Sequence, residues 1–194
     1  MSESIAAAVV RAAELTARGL PRKAIDLLRP VLVANPLHGE AWCRLAAAHL
    51  DAGEPDPALD AAKRALVLNG DTVWAQRLTA LALSELGRHA EAVVAARECV
   101  RRKPDDWRCQ VVLAEVLAED PKGLHEAVDV ARRAAHLAPS EARAFQVLGD
   151  AALRLRDWGT AERAYRTALR LDAGADDVRA NLGTVRRKRG GAPV

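Results

Sequence analysis

Aromatic side chains are scarce in this chain: four tryptophans, one tyrosine and one phenylalanine make up 3% of 194 residues. Sandwich and barrel strands draw on aromatic and β-branched residues, so an apolar fraction dominated by alanine points to closely packed helices instead. A hydrophobic content of 50% excludes global disorder. Cysteine is also sparse. Cys43, Cys99 and Cys109 are odd in number and lack CxxC spacing, which argues against a disulfide framework and for a reducing, cytoplasmic compartment. No sign of charge dominates: 29 Lys and Arg against 26 Asp and Glu leave +3, too balanced for a nucleic-acid footprint. Long apolar runs are missing too. The stretch Ile5 to Val10 is followed by Arg11 and Glu14, so it cannot span a bilayer and matches a cleaved signal segment poorly.

The common catalytic signatures are missing, among them the phosphate loop GxxxxGK and the motifs GxGxxG and GxSxG. His38, His49, His89, His125 and His136 are scattered, with no HxxxH and no neighbouring cysteine. The expectation is therefore no enzyme, no cofactor and no metal site. The doublets Asp105-Asp106 and Asp176-Asp177 stand directly before helical segments, where carboxylates cap free N–H groups and favour the dipole.

What the chain does have is a period. Gly19, Gly53 and Gly87 are 34 residues apart, as are Ala24, Ala58 and Ala92, and Pro36, Gly70 and Pro104. The series then steps 35 residues, to Ala127 and Pro139, before returning to 34 at Ala161. One inserted residue between Asp120 and Leu124 accounts for both shifts. A fourth column, Val31, Ala65, Cys99, Ala134 and Ala168, keeps the same phase and places small or medium apolar residues where helices would approach each other. Each period holds two amphipathic segments separated by a glycine or proline turn. The pairs are Ser4 to Ala17 with Pro21 to Val33, Gly39 to Asp51 with Pro55 to Leu68, and Val73 to Glu85 with Arg88 to Val100. Trp107 to Glu119 with Leu124 to Leu137, and Glu141 to Leu155 with Trp158 to Leu171, complete the five. A last helix, Asp176 to Lys188, stands alone, and the glycine- and proline-containing tail 189–194 reads as flexible. Short helices are marginal alone, so each must bury one stripe on its pair and another on the next repeat.

This pattern resembles the tetratricopeptide repeat, a 34-residue helix-turn-helix unit. The fifth repeat carries Phe145, Leu148, Gly149, Ala161, Tyr165 and Ala168 at the family positions, and the second carries Trp42, Leu45, Ala46, Gly53, Ala58 and Ala65. Leu182 and Gly183 repeat the Leu148–Gly149 pair, so the last helix looks like a capping half-repeat. The first and third repeats depart from the pattern, with Ala8, Arg11 and Ala12, and Gln76, Thr79 and Ala80, at the corresponding sites. The resemblance implies an all-α fold: a right-handed superhelix of about eleven antiparallel helices in one domain, residues 1–188. Its repeats would be approximately 5–38, 39–72, 73–106, 107–141 and 142–175, followed by the cap 176–188.

The resemblance also implies a function, protein binding by a scaffold or adaptor whose first helices line a concave groove for a peptide or an amphipathic helix. On this chain the groove would receive Arg44 from the second repeat and Trp74, Arg77, Leu78 and Leu81 from the third. Arg108, Val111, Val112 and Glu115 come from the fourth and Arg143, Val147 and Asp150 from the fifth. Burial of such an apolar strip supplies ~25 cal/mol per Å², while the flanking charges set register. Trp74, out of register with Trp42, is the natural anchor. The asparagine positions of the family's carboxylate-gripping set hold Ala13 and Ala47, so that activity is not implied. Two other readings stand beside the groove. Alanine-rich faces at Ile5 to Ala13 suit self-association into a homo-oligomer. The cluster Arg186-Arg187-Lys188-Arg189 suits anionic lipid or nucleic acid, with no specific nucleic acid expected and membrane contact only through that segment or a partner.

Overall fold

The computed structural model describes residues 5–69 and 73–190. Among them lie eleven α-helices and no strand: α1 (Ile5–Ala17), α2 (Pro21–Ala34), α3 (Gly39–Asp51), α4 (Pro55–Asn69), α5 (Val73–Glu85), α6 (His89–Arg102), α7 (Trp107–Ala118), α8 (Leu124–Leu137), α9 (Ala142–Arg154), α10 (Trp158–Leu171) and α11 (Asp176–Gly190). Every helix read from the sequence is present, with ends displaced by a residue or two. The turn at Gly70 and residues 191–194 of the tail lie outside the described residues. No helix among the described residues is long and apolar enough to cross a membrane.

Side-chain chemistry sets the ends. Asp106 accepts from the Arg108 amide at 2.9 Å and Asp157 from the Thr160 amide at 3.0 Å, each satisfying a donor the helix leaves free. At the opposite ends Gly19, Gly53 and Gly87 adopt φ of 70°, 72° and 72°. The next residue's N–H then returns to a carbonyl five residues back, as from Leu20 to Leu15, Glu54 to His49 and Arg88 to Leu83, all at 2.9 Å. The fifth pair makes the same bond from Asp157 to Ala152, but with Arg156 at φ 65° where the others have glycine. In the fourth pair the expected insertion is a 3₁₀ turn, Pro121–Gly123, opened by Asp120 accepting from the Lys122 amide at 2.9 Å. A side chain on Gly123 would strike the Leu117 carbonyl.

The helices fall into two compact units, one ending at Glu98 and the other beginning at Cys99, a division inside α6. In the first unit α1 packs on α2, α2 on α3, α3 on α4 and α4 on α5, while α1 also touches α3 and α3 touches α5. The second repeats the scheme, with α7 on α8, α8 on α9, α9 on α10 and α10 on α11, and with α7 and α11 both touching α9. The alanine column lies where the helices meet: Ala24, Ala58, Ala92, Ala127 and Ala161 are all 0% exposed. Ala65, Cys99, Ala134 and Ala168 are buried as well, whereas Val31 in the first repeat is only half-buried.

Facing volumes are matched repeat by repeat. The position of Gly149 is held by Ala12, Ala46, Ala80 and Ala114 in the earlier repeats, and that of Tyr165 by Leu28, Ala62, Ala96 and Ala131. A Cβ on Gly149 would stand 2.5 Å from the Tyr165 ring, so the one large ring in this column requires the one glycine opposite it.

Two expectations are corrected. Cys99, near the end of α6, and Cys109, in the first turn of α7, form a disulfide with Cα atoms 5.6 Å apart. Spacing rules for local CxxC pairs miss it because the two residues meet across a helix–turn–helix junction. Arg189 and Gly190 also belong to α11 and not to a loose tail, and Arg189 is held there by Glu162.

Arg156 and Gly149 give tests. Left-handed backbone costs a non-glycine residue ~1–2 kcal/mol, against ~0.5–1 kcal/mol for glycine's greater freedom when unfolded. Arg156→Gly should raise stability by up to ~1 kcal/mol and Gly53→Ala lower it by ~1 kcal/mol in denaturant titrations. Gly149→Ala should cost ~1–3 kcal/mol by overpacking. The cost should shrink in a Tyr165→Leu background, which restores the Ala–Leu pairing of the first repeat; an undiminished cost would refute the volume match.

Candidate partner-binding surfaces

The residues expected to face a partner fall on α3 and α5 in the first unit and on α7 and α9 in the second. On α3 the Arg44 guanidinium lies 4.6 Å from the centroid of the Trp74 ring on α5, and 3.5 Å from Glu40 one turn earlier on its own helix. Arg44 Nε is buried and has no hydrogen-bond partner among the described residues. Trp74, Arg77 and Leu81 are half-buried and Leu78 is buried. Cys43 is fully buried on the same helix as Arg44. Desolvation, reinforced by Glu40, pushes its thiol up to about 11, so it is a neutral packing group at ordinary pH. Asp51 and Glu85 close these two helices, and burial raises both carboxyls; Glu85 is raised further by Asp51.

The second unit is more self-satisfied. Arg143 donates to Glu115 across α9 and α7, and Arg154 donates to Glu119 at 2.8 Å. Asp150 accepts from the Tyr165 hydroxyl at 2.6 Å and the Asn181 amide at 3.2 Å, tying α9 to α10 and α11. Gln146 donates to Asp177 at 2.7 Å. Val111, Val112 and Val147 are buried, and Arg108, exposed, stacks on Trp107 at 4.7 Å and stands 4.0 Å from Asp106.

The basic clusters are largely engaged. Glu162, a buried acid, holds Arg166 at 2.8 Å, Arg186 at 3.7 Å and Arg189. The Arg189 hydrogen bond is the leading cause of its depressed carboxyl. The C-terminal cluster thus anchors α11 to α10. Among the described residues no group of three His, Cys, Asp or Glu could hold a metal ion. His49, 3% exposed, pairs its Nδ1 with Glu54 at 2.7 Å.

Sequence reasoning missed a second surface. Trp42 donates its indole N–H to the Pro36 carbonyl at 2.8 Å and is covered by Arg64 at 4.9 Å. Two adjoining hollows of about 540 and 330 Å³ share Pro36, Trp42 and Arg64 as walls, and the larger reaches Leu32 and Val33 on α2. Trp42 occupies the family's large-residue position, and that reading concealed how much of its ring stays open. The available signal was the apolar Val33 and Val67 on otherwise charged helix faces.

The raised Asp150 gives a pH test. Burial is the main cause, partly opposed by the Tyr165 hydrogen bond and Arg143. A carboxyl raised on folding takes up its proton more readily in the native state, so stability rises as pH falls from neutral through the raised value. Once pH passes the ordinary carboxylate value the gain is complete. In thermal melts at matched pH, the stability of Asp150→Asn relative to the native chain should therefore decline from pH ~7.5 to ~4.5. A relative stability that climbs over that range would contradict the assignment.

Comparison with known proteins agrees with this architecture. The tetratricopeptide repeat family model matches residues 9–72, 77–142 and 147–190. No curated protein matches the chain. Among solved structures, a thermophilic tetratricopeptide repeat protein of Thermus thermophilus superposes with a TM-score of 0.83 at 20% identity, covering 92% of this chain and 96% of that one. A tetratricopeptide repeat protein from Parabacteroides merdae gives 0.82 at 17% identity over 95% of this chain and 72% of the other. YrrB, described as a tetratricopeptide repeat protein with an unusual peptide-binding site, gives 0.58 at 15% identity over 92% and 91%. With five periodic helix pairs, left-handed turns in register and a family match over most of its length, the chain belongs to the tetratricopeptide repeat family.

Proposed function

We propose that this protein is an adaptor that holds a peptide or an amphipathic helix of another protein against the inner helices α3 and α5. Tetratricopeptide repeats are protein-interaction scaffolds in general, and peptide binding is recorded in the description of YrrB. The observation that carries the reading is the Arg44–Trp74 platform, an indole left half-exposed and stacked under a guanidinium at 4.6 Å. Tryptophan and arginine dominate binding hot spots because each covers a large area with few rotatable bonds per contact. Leu81 and the stem of Arg77 extend the apolar strip on α5, while the Arg44 side chain, 33% exposed, offers its guanidinium end to an incoming carbonyl or carboxylate. Arg108, Glu115, Arg143 and Asp150 are the corresponding polar positions on α7 and α9.

Affinity capture from the source-cell lysate with the native chain and with a folded Trp74→Ala, Leu81→Asp variant tests this. A partner enriched by the native chain alone is expected, with a purified fragment of it losing ~30-fold or more in affinity for the variant, the usual size of a hot-spot truncation. Equal enrichment by both forms would require abandoning the inner-face assignment.

A further inference from the structure

We propose a second docking surface on the first unit, the Trp42 groove formed by α2, α3 and α4, and that its occupant is an acidic peptide segment bearing bulky apolar side chains. The argument begins with what is left exposed. Val33 on α2 is 84% exposed and Val67 on α4 is 85% exposed, on helices whose other outward residues are mostly charged or alanine. Leu37, in the turn after Pro36, is 79% exposed. Val33 lines the larger hollow and Val67 the smaller, with the Trp42 ring and Pro36 common to both. Two adjoining apolar hollows, each within the ~300–1,000 Å³ typical of ligand pockets, suit side chains at intervals along a peptide. A bilayer is instead met by a broad basic or amphipathic face.

Charge decides which peptide. Arg29, Lys63, Arg97, Arg132 and Arg166 occupy one position of the second helix in successive repeats. Arg132 pairs with Asp129 at 2.9 Å, Arg166 with Glu162 at 2.8 Å, and Arg97 is also engaged. Among the described residues no carboxylate lies in ion-pair reach of Arg29 or Lys63, nor of Arg64, whose guanidinium lies over Trp42. Within this column the two cations without an ion pair among the described residues, Arg29 and Lys63, border the apolar hollows, Lys63 also acting on Glu91 at longer range. Asp60 is the single carboxylate in either lining, since Glu54 is turned to His49. Carboxylates on the occupant would complete Arg29 and Arg64 at the rim while apolar side chains cover Trp42.

The surface is separate from the inner face, so its test is separate too. Nitrogen-15-labelled full chain would be titrated with a capped peptide of about a dozen residues carrying leucines at helical spacing and glutamates elsewhere, and with its lysine counterpart. The expected result is a shift of the Trp42 indole signal by the glutamate peptide. Affinity should fall about ten-fold or more in Arg29→Glu, Arg64→Glu, and likewise in Val33→Asp, whose exposed site leaves folding intact. Binding should weaken with salt and persist in Trp74→Ala. Equal binding of the lysine peptide, movement of Trp74 in place of Trp42, or no shift at about 1 mM peptide would overturn the proposal. So would a Trp42 shift on concentrating the chain alone, which assigns the groove to a second copy, or binding to phosphatidylserine vesicles without binding to the peptide, which assigns it to lipid.

Discussion

The close approach of helices at one-carbon side chains governs the rest of this structure. Five alanines from Ala24 to Ala161 are completely buried at equivalent contacts, and interior packing at native density leaves no space for even one more methylene without movement. That constraint explains the scarcity of aromatics better than any functional demand. Tyr165 fits inside only because Gly149 faces it. Three of the tryptophans, Trp42, Trp74 and Trp107, instead lie where a guanidinium covers the ring, from Arg64, Arg44 and Arg108 respectively. A core too tight for indoles places them at its edges, and arginine stacking is how they are tolerated there. The features that mark candidate binding surfaces are thus a consequence of core packing.

Polar contacts set register on that packing. Trp42 donates to the Pro36 carbonyl and Gln110 donates to the Pro104 carbonyl, both at 2.8 Å and both six residues back. Arg179 makes the same reach to Ala173. Indole, amide and guanidinium share nothing but an N–H at the right distance, so this position selects for a donor long enough to pin the turn. Phe145 has no donor, and its helix relies on the Tyr165–Asp150–Asn181 network. Gln76 uses its amide on the Ala95 carbonyl of α6. What resembles a degenerate position in the family pattern is, chemically, one shared task in three repeats, carried by Trp42, Gln110 and Arg179.

That distinction shows what could be read from the sequence and what could not. Phase markers such as Gly53 and Ala58 are visible because only glycine relieves the left-handed turn and only a small residue fits the contact; both rules act residue by residue. The insertion at Asp120 to Leu124 was visible because it displaced several columns together. Pairings between helices were not. Cys99 with Cys109, Glu162 with Arg189 and Trp42 with Arg64 depend on side-chain direction across a packed interface, which spacing along one helix does not encode. The inner-face residues were assigned from the family geometry, and burial now divides them: Leu78, Val111, Val112 and Val147 are packed within their units, while Arg44, Trp74 and Arg108 retain open surface.

The two units differ in how much of their charge is already spoken for, and this bears on where binding energy can arise. A partner approaching α7 and α9 meets Glu115 bound to Arg143, Asp150 bound to Tyr165, and Asp177 bound to Gln146. To engage any of these it must break an existing hydrogen bond, so the exchange is near neutral at best. Among the described residues of the first unit, Arg44 Nε has no hydrogen-bond partner and no carboxylate stands in ion-pair reach of Arg29 or Arg64. Contacts made there lie next to half-open tryptophans that supply apolar area, and they compete with the exposed Arg44–Glu40 pair and with the Arg44 and Arg64 ring contacts. In the second unit the network around Asp150 and Glu162 instead holds α11 on α9 and α10.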